Sequence, residues 1–396
     1  MILLAIETSC DETSVALLKR IRGKTVRFEV LSHTILSQID IHKEYGGVFP
    51  ALAKREHART ITQLIAESLN NSDLLIERAR PAPLPLAIKK KLAVLLSREE
   101  EMFRALTVLF EGVQKPKIDA IAVTSGPGLE PALWVGINCA MALQMVWNIP
   151  VYPINHMEGH IVASLLSKNG DIYEIPVYNY PTLALLISGG HTELVRVPKE
   201  LKYQIIGETR DDAVGECFDK SARMLGLPYP GGPEISRLAK HARENRLLPD
   251  ETYKLPRPML HSHDLNFSFS GLKTAVLTKV KKQKEITEHF RTVLSLEIEN
   301  AITDVLIAKT KTAIYETRAK TVVVGGGVSA NSHIRAQLKE LAKTEGVSLF
   351  IPEKSLSTDN ALMIGATGLL HIAHGMKPKI KLRANGNWKI SEAYKI

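Results

Sequence analysis

Two scarcities narrow the field. Among 396 residues there are only three cysteines, Cys10, Cys139 and Cys217. They are widely spaced and odd in number, so they imply neither a disulfide framework nor a zinc knuckle, and they fit a reducing cytoplasm. Long hydrophobic runs are also missing. Stretches such as "LALLI" (183–187) and "TVVVG" (321–325) are strand length, far short of the roughly 20 apolar residues a membrane helix needs. No membrane association is expected. The chain opens on a strand-like "MILLAIE" and does not read as a signal or transit peptide, which would show a basic segment and then a long apolar core.

What is present is an excess of positive charge. Lysine and arginine outnumber aspartate and glutamate 51 to 42, a formal net charge of +9. The excess gathers in "KKK" (89–91), "KVKKQK" (279–284) and "KPKIKLR" (377–383). Such runs are either solvated surface or contacts to a phosphate backbone. In the second case binding is steeply salt-dependent.

The chain alternates strand and helix patterns. "LLAIETSCDETSVALL" (3–18) and "LALLISGGHTELVRV" (183–197) each run apolar, then small and polar, then apolar again. Both predict a β-hairpin whose turn presents backbone N–H groups, a cradle for an anion. In "VVVGGGVSANSHIRAQL" (322–338) a β-branched strand runs through glycines into a helix, where a phosphate or ribose can approach the backbone closely. "IDAIAVTSGPG" (118–128) predicts a strand and turn, "ALWVGINCAMALQMVW" (132–147) an apolar helix, and "PVYPINH" (150–156) another strand. The alternation argues for an α/β architecture. Two halves that each open on a hairpin suggest a duplicated fold around a ligand cleft. The segment 72–115 departs from this pattern: Pro81, Pro83 and Pro85 precede a helix-forming run. Closely spaced prolines stop a helix and favour extended chain, so a surface linker plus one helix is expected there.

"NHMEGHIVAS" (155–164) places His156 and His160 one helical turn apart, so on a helix both imidazoles point the same way. The pair either fills a polar interface or clips a metal. A metalloprotease of the H-E-x-x-H type carries its general-base Glu directly after the first His. Here that position is Met157 and the acid is Glu158, about 200° around the helix from His156. Proteolysis is therefore disfavoured.

The stretches "AIETSCDETSVAL", "YGGVFPALAKREHAR", "TSGPGL", "INHMEGH", "LISGGHTELV", "GECFDKSARMLGLPYPGGP", "FSFSGLKTAV", "GGGVSANSHIR" and "STDNALMIG" occur in this order. Together they closely resemble the bacterial TsaD-type tRNA threonylcarbamoyladenosine transferases. The resemblance covers nearly the whole chain except roughly 72–115. It implies the duplicated actin-like/sugar-kinase (ribonuclease H-like) fold, with residues 1–168 plus 358–396 as one lobe and 169–357 as the other. It also implies transfer of threonylcarbamoyl from threonylcarbamoyl-AMP to the N6 amine of adenosine 37, just 3′ of the anticodon, in tRNAs that read codons beginning with A. The metal ligands it implies are His156, His160 and Asp359. The substrate contacts are Leu186, Ile187, Ser188, Gly189, Gly190, Asp219, Gly232 and Asn331. The partners are the tRNA anticodon stem-loop, an inactive paralogue and a small ATPase, in the cytoplasm. Glu130-Pro131, Cys217 and the 72–115 insertion depart from the family's usual pattern.

The residue chemistry agrees with these implications without requiring all of them. Two histidines and an aspartate leave coordination positions open for a substrate oxygen and suit one divalent ion, iron or zinc. Asp219 is either a surface acid beside Lys220 and Arg223 or an acceptor for a ligand hydroxyl. Gly232 is either a turn residue or a close approach to a nucleotide. Asn331 is a good helix N-cap as well as a polar ligand contact. Asp11 suits a turn, or it accepts the proton of the attacking amine as the catalytic residue. The three glycine turns alone would equally serve ATP or AMP in a sugar-kinase-type phosphotransferase, where "HMEGH" has no role.

Overall fold

The computed structural model describes residues 1–393. The chain begins with β1 (Ile2–Glu7), β2 (Glu12–Ile21), β3 (Arg27–Ser37), a short α1 (Ile39–Lys43), α2 (Pro50–Asn71), α3 (Leu86–Leu95) and α4 (Glu100–Gly112). It continues through β4 (Ala120–Gly126), α5 (Glu130–Trp147), β5 (Val151–Asn155), α6 (His156–Leu165), β6 (Ser167–Asn169) and β7 (Ile172–Glu174). Then follow β8 (Thr182–Ile187), β9 (Thr192–Lys199), β10 (Lys202–Glu208), α7 (Val214–Met224), α8 (Gly231–Glu244), α9 (Ser270–Lys281) and α10 (Glu288–Thr317). The last elements are β11 (Thr321–Gly325), α11 (Ser332–Glu345), β12 (Ser348–Phe350) and α12 (Ala361–Ala373).

Two compact units result. The first holds Met1–His42, Val48–Val177 and Asp359–Ala393; the second holds Lys43–Gly47 and Tyr178–Thr358. The sheet of the first unit has the order β5-β4-β1-β2-β3-β7-β6. Its β1, β2 and β3 form an antiparallel meander, and β4 and β5 join parallel on the β1 side. The sheet of the second unit repeats the device in the order β10-β9-β8-β11-β12, with a β8-β9-β10 meander and parallel β11 and β12. This is the duplicated actin-like arrangement expected from the sequence.

Sequence explains why the central strands sit where they do. β4 is buried along its whole length, and β1 everywhere but Ile2, as continuous apolar strands covered on both faces must be. α12 lies against β1, β2 and β4 through small residues: a Cβ on Gly365 would come within 3.1 Å of Ala5 Cβ on β1, and one on Gly368 within 2.7 Å of Ala122 Cβ on β4. Glycine there lets a helix approach the sheet closely. Glu130 and Pro131 form the first turn of α5, a position that favours both an acid and proline. Cys217 is a buried member of the second unit's core. No described helix is long and apolar enough to cross a membrane.

The 72–115 segment corrects the expectation of a surface linker with one helix. The prolines are extended as expected, but two helices follow, α3 and α4. Leu92, Leu96, Met102, Leu106 and Phe110 join the core of the first unit with Ile61, Ile65 and Leu69 of α2. Phe110 packs edge-on against Trp147 of α5 at 5.2 Å. Buried Glu99, between the two helices, pairs with Lys54 of α2 at 3.0 Å and accepts a hydrogen bond from Asn138 of α5 at 3.2 Å. The segment is part of the unit's core.

Candidate active site

In the first unit the chemistry gathers at the carboxyl ends of β1, β4 and β5, where parallel strands of α/β sheets present their ligand sites. β5 ends at Asn155, whose side-chain oxygen accepts from the backbone N–H of Met157 and Glu158 and so caps α6. The cap fixes His156 as the first residue of α6 and puts His160 one turn on. Asp359 comes from the loop before α12, which is itself capped by Asn360 and tied by Ala361 N–H to Ser14 Oγ at 2.9 Å.

Asp359 Oδ1 lies 3.3 Å from His156 Nε2 and 3.2 Å from His160 Nε2. The ligand atoms of the three residues lie within 4.8 Å of one another. Two ligands about 2.05 Å from a tetrahedral ion would sit roughly 3.3 Å apart, so the two histidine–aspartate spacings are those of neighbouring ligands on one ion. His160 is buried, and neither of its ring nitrogens has a hydrogen-bond partner. Its Nε2 is near Asp359 but badly aligned for a hydrogen bond. A buried, unsatisfied imidazole is costly without a ligand. By donor chemistry, spacing and this orphaned imidazole, the trio fits a divalent cation.

Glu7, at the end of β1, is a residue the sequence reading missed. Its carboxylate is fully buried and accepts from Ser9 N–H, from Thr124 Oγ at 2.6 Å and from His156 Nδ1–H at 3.1 Å. With Nδ1 donating to Glu7, Nε2 is the ring nitrogen that His156 turns toward Asp359. Burial alone would lower the pKa of His156, but the charges of Asp359 and Glu7 outweigh it and raise it. Burial alone would raise that of Asp359, but His156 and then His160 hold it well below the usual carboxylate range. The missed signal was an ionisable residue closing an otherwise apolar strand, "ILLAIE".

Glu158 points elsewhere, as the helical spacing required. It is buried and pairs with His371 Nε2 of α12 at 3.0 Å, so it lies outside the His156–His160–Asp359 group. Asp11 sits in the β1–β2 turn and is almost fully buried. Burial raises its pKa, the charge of Asp359 adds to this, and a hydrogen bond with Cys10 offsets part of it. Burial, then the charges of Asp11 and Asp359, raise that of Glu12 as well.

In the second unit, two of the predicted turns come together with the start of α7. Leu186 and Ile187 are buried at the end of β8, so only their backbone can face a ligand. The Ser188–His191 turn closes with Ser188 N–H to His191 O at 2.9 Å. A Cβ on Gly215, at the start of α7, would meet Ser188 O at 2.7 Å and Gly189 Cα at 2.8 Å. One on Gly326, which follows β11 with φ of +90°, would meet Ile187 O at 2.5 Å. Glycine at 215 and 326 therefore allows these turns to touch. At Gly189, Gly190 and Gly327 an added Cβ would meet nothing within 4 Å, so the converging backbone borders open space. Asp219 accepts from Gly231 N–H at 2.7 Å, which ties the first residue of α8 to α7, with Gly232 the second residue of α8 and not part of a turn. Lys220 pairs with Asp212 and Glu216. Asn331 caps α11 through Ile334 N–H at 2.9 Å and donates to Glu299 at 2.6 Å.

Comparison with known proteins gives one consistent result. The family model described as TsaD, tRNA N6-adenosine threonylcarbamoyltransferase, matches residues 29–79 and 101–366. Residues 80–100, which include the prolines and α3, fall outside it. A protein of Nitrosomonas eutropha with that name is 41% identical over 372 residues, 94% of this chain and 93% of its own length. One from Nitrosomonas europaea is 39% identical over 396 residues, 100% of this chain and 99% of its own. One from Burkholderia mallei is 42% identical over 379 residues, 94% and 93% of the two lengths. A crystal structure of full-length HypF in its phosphate- and nucleotide-bound form matches in fold, with a TM-score of 0.50 at 11% identity, over 94% of this chain and 46% of that longer one.

Proposed function

We infer what this chain does from what it is: a member of the TsaD family, the tRNA N6-adenosine threonylcarbamoyltransferases. It is a transferase that places a threonylcarbamoyl group on an adenosine of tRNA. The observation that carries this is the family match across both units. The finer reading is that the acceptor is N6 of adenosine 37 in tRNAs reading A-starting codons, and the donor is threonylcarbamoyl-AMP. His156, His160 and Asp359 would hold the divalent ion, with iron favoured. When bound, the ion would supply Lewis acidity toward an oxygen of the threonylcarbamoyl group.

The remaining steps belong to the chain's own side chains. The backbone of Leu186–Gly190, with Gly232, Asp219 and Asn331, seats the AMP moiety. The adenosine amine attacks the carbamoyl carbon, a new N–C bond forms, the C–O bond to the AMP phosphate breaks, and AMP leaves. The proton released by the amine passes to Asp11, whose raised pKa makes it a better base than a solvated aspartate. An aromatic amine is a poor nucleophile, so most of the acceleration comes from proximity and electrostatics. Lysine-rich runs hold the anticodon stem-loop by its phosphates. An inactive paralogue and a small ATPase assist in the cytoplasm.

The test is transfer of labelled threonylcarbamoyl from threonylcarbamoyl-AMP to a tRNA transcript, with and without those partners. Label should enter the transcript and be lost when adenosine 37 is changed to guanosine. Absence of label in every combination, with phosphate instead moving from ATP to a sugar, would overturn the reading in favour of a kinase.

A further inference from the structure

Behind the Asp11 turn lies a row of buried polar side chains that the proposed reaction does not use. Gln38, His42, His57 and Thr13 are all buried. His57 Nε2 lies 3.0 Å from Cys10 O, and Gln38 Nε2 lies 3.2 Å from His57 Nδ1. His42 Nε2 lies 3.2 Å from Gln38 Oε1, and Phe49 N lies 3.4 Å from His42 Nδ1.

The two ends fix the direction of every bond. Phe49 N–H can only donate, so His42 Nδ1 accepts. A neutral His42 then carries its proton on Nε2 and donates to Gln38 Oε1. That sets the amide orientation, so Gln38 Nε2–H faces His57 Nδ1, which must accept. At the other end Cys10 C=O can only accept, so His57 donates from Nε2. Both requirements on His57 are met by one neutral tautomer, and Thr13 Oγ, 2.7 Å from the same Nδ1, donates to it as well. Burial lowers the pKa of His57 to about 4, which keeps the ring neutral near pH 7.

The same residues hold the turn at a second point, because Gln38 N–H donates to Asp11 O at 2.9 Å. Leu129 N–H holds Ser9 O at 2.8 Å. Three consecutive carbonyls, of Ser9, Cys10 and Asp11, are thus fixed from outside the turn, two of them by Gln38 and His57. We propose that His57, with Gln38 and His42 behind it, is a positioning residue: a one-way hydrogen-bond relay from the start of α2 to the Cys10 carbonyl that sets where the Asp11 carboxylate sits. This rests on the reading of Asp11 as the proton acceptor.

Two substitutions separate positioning from general support. In His57→Gln the amide nitrogen takes the place of Nε2 and keeps the bond to Cys10 O. In His57→Asn the amide lies near the place of Nδ1, keeps Gln38 and Thr13, and drops Cys10 O. A misplacement of about 1 Å can cost on the order of 100-fold in rate. His57→Asn should therefore lower kcat roughly 10- to 100-fold with KM for tRNA and bound metal unchanged, while His57→Gln stays within about fivefold of wild type. Equal losses in the two, or no loss in His57→Asn, would overturn the proposal. A second measurement needs neither folded variants nor activity. In wild-type protein with 15N-labelled histidine, imidazole NMR at alkaline pH, where free imidazole is neutral, should show the rings of His42 and His57 protonated on Nε2. A proton on Nδ1 of either ring would overturn the relay. If the wild type transferred nothing at all, the reading of the reaction would fail while these tautomers still decided whether the relay exists.

Discussion

At the residue scale, the carboxylate of Glu7 shows how a buried charge becomes useful. Its two oxygens face three donors, from Ser9, Thr124 and His156, within the roughly four acceptor sites that an ionised carboxylate offers. In Glu7→Gln one oxygen becomes an NH2 group that turns a donor toward a donor. If that disturbs Nδ1–H of His156, the ring loses the contact that orients it. Removing such a supporting carboxylate typically costs 10- to 100-fold in metal affinity. Competition between the protein and a chelator for zinc or ferrous ion should show a loss of about that size. An unchanged affinity would mean that Glu7 only seats the Ser9 turn. The ligating histidines were legible in the sequence because their spacing is local to one helix. Glu7 was not, because its partners Thr124 and His156 lie 117 and 149 residues away, and only the folded sheet brings β1, β4 and β5 side by side.

At the scale of elements, the hairpins and the strand–glycine–helix turn could be read from the sequence because their signals are local: apolar runs interrupted by small residues. The order of strands could not, since the insertion of β1 between β2 and β4 is decided by which faces α5 and α12 cover. The 72–115 segment was misread for a physical reason. Its prolines are conspicuous, but the positions Ile88, Leu92, Leu95 and Leu96, then Met102, Phe103, Leu106, Leu109 and Phe110, follow the helical apolar period and all pack into or against one cluster. A contrast tests this. Leu92 is fully buried and Leu86, on the same helix, is 68% exposed. Leu92→Ala should destabilise the protein by about 2–5 kcal/mol, and Leu86→Ala by no more than about 0.5 kcal/mol. Urea titrations followed by tryptophan fluorescence compare them. Equal, small shifts would return α3 to the surface. The same packing means that excising 74–104 removes core residues, so loss of metal binding in such a deletion would reflect unfolding of the first unit.

For the whole molecule, buried His57 and partly buried His33 set a direction for stability against pH. Burial lowers the pKa of both His33 on β3 and His57 on α2 from 6.5 to about 4. The unfolded chain therefore takes up protons through the range from 6.5 to 4 that the folded chain refuses. Protons bound preferentially by the unfolded state favour unfolding, so this contribution is complete above pH 6.5 and is lost as the pH falls toward 4. At pH 5 each histidine contributes about 2 kcal/mol less than at pH 7. Asp11 and Glu12 act in the opposite sense, because their raised pKa values make the folded state the better proton acceptor. Asp359, held low, enters only below the usual carboxylate range. A single substitution cancels these common contributions. His33 has a side-chain contact to Ser14 Oγ at 3.4 Å and is not part of the His156–His160–Asp359 group. His33→Gln should shrink the difference in unfolding free energy between pH 7 and pH 5 by about 2 kcal/mol. The three tryptophans, Trp134, Trp147 and Trp388, all lie in the first unit, so their fluorescence follows the unit that contains His33 and His57. With chelator present, metal binding drops out of the comparison. If the variant and the wild type lose the same stability between the two pH values, His33 takes up its proton in the folded chain as readily as in the unfolded one, and burial does not hold it neutral.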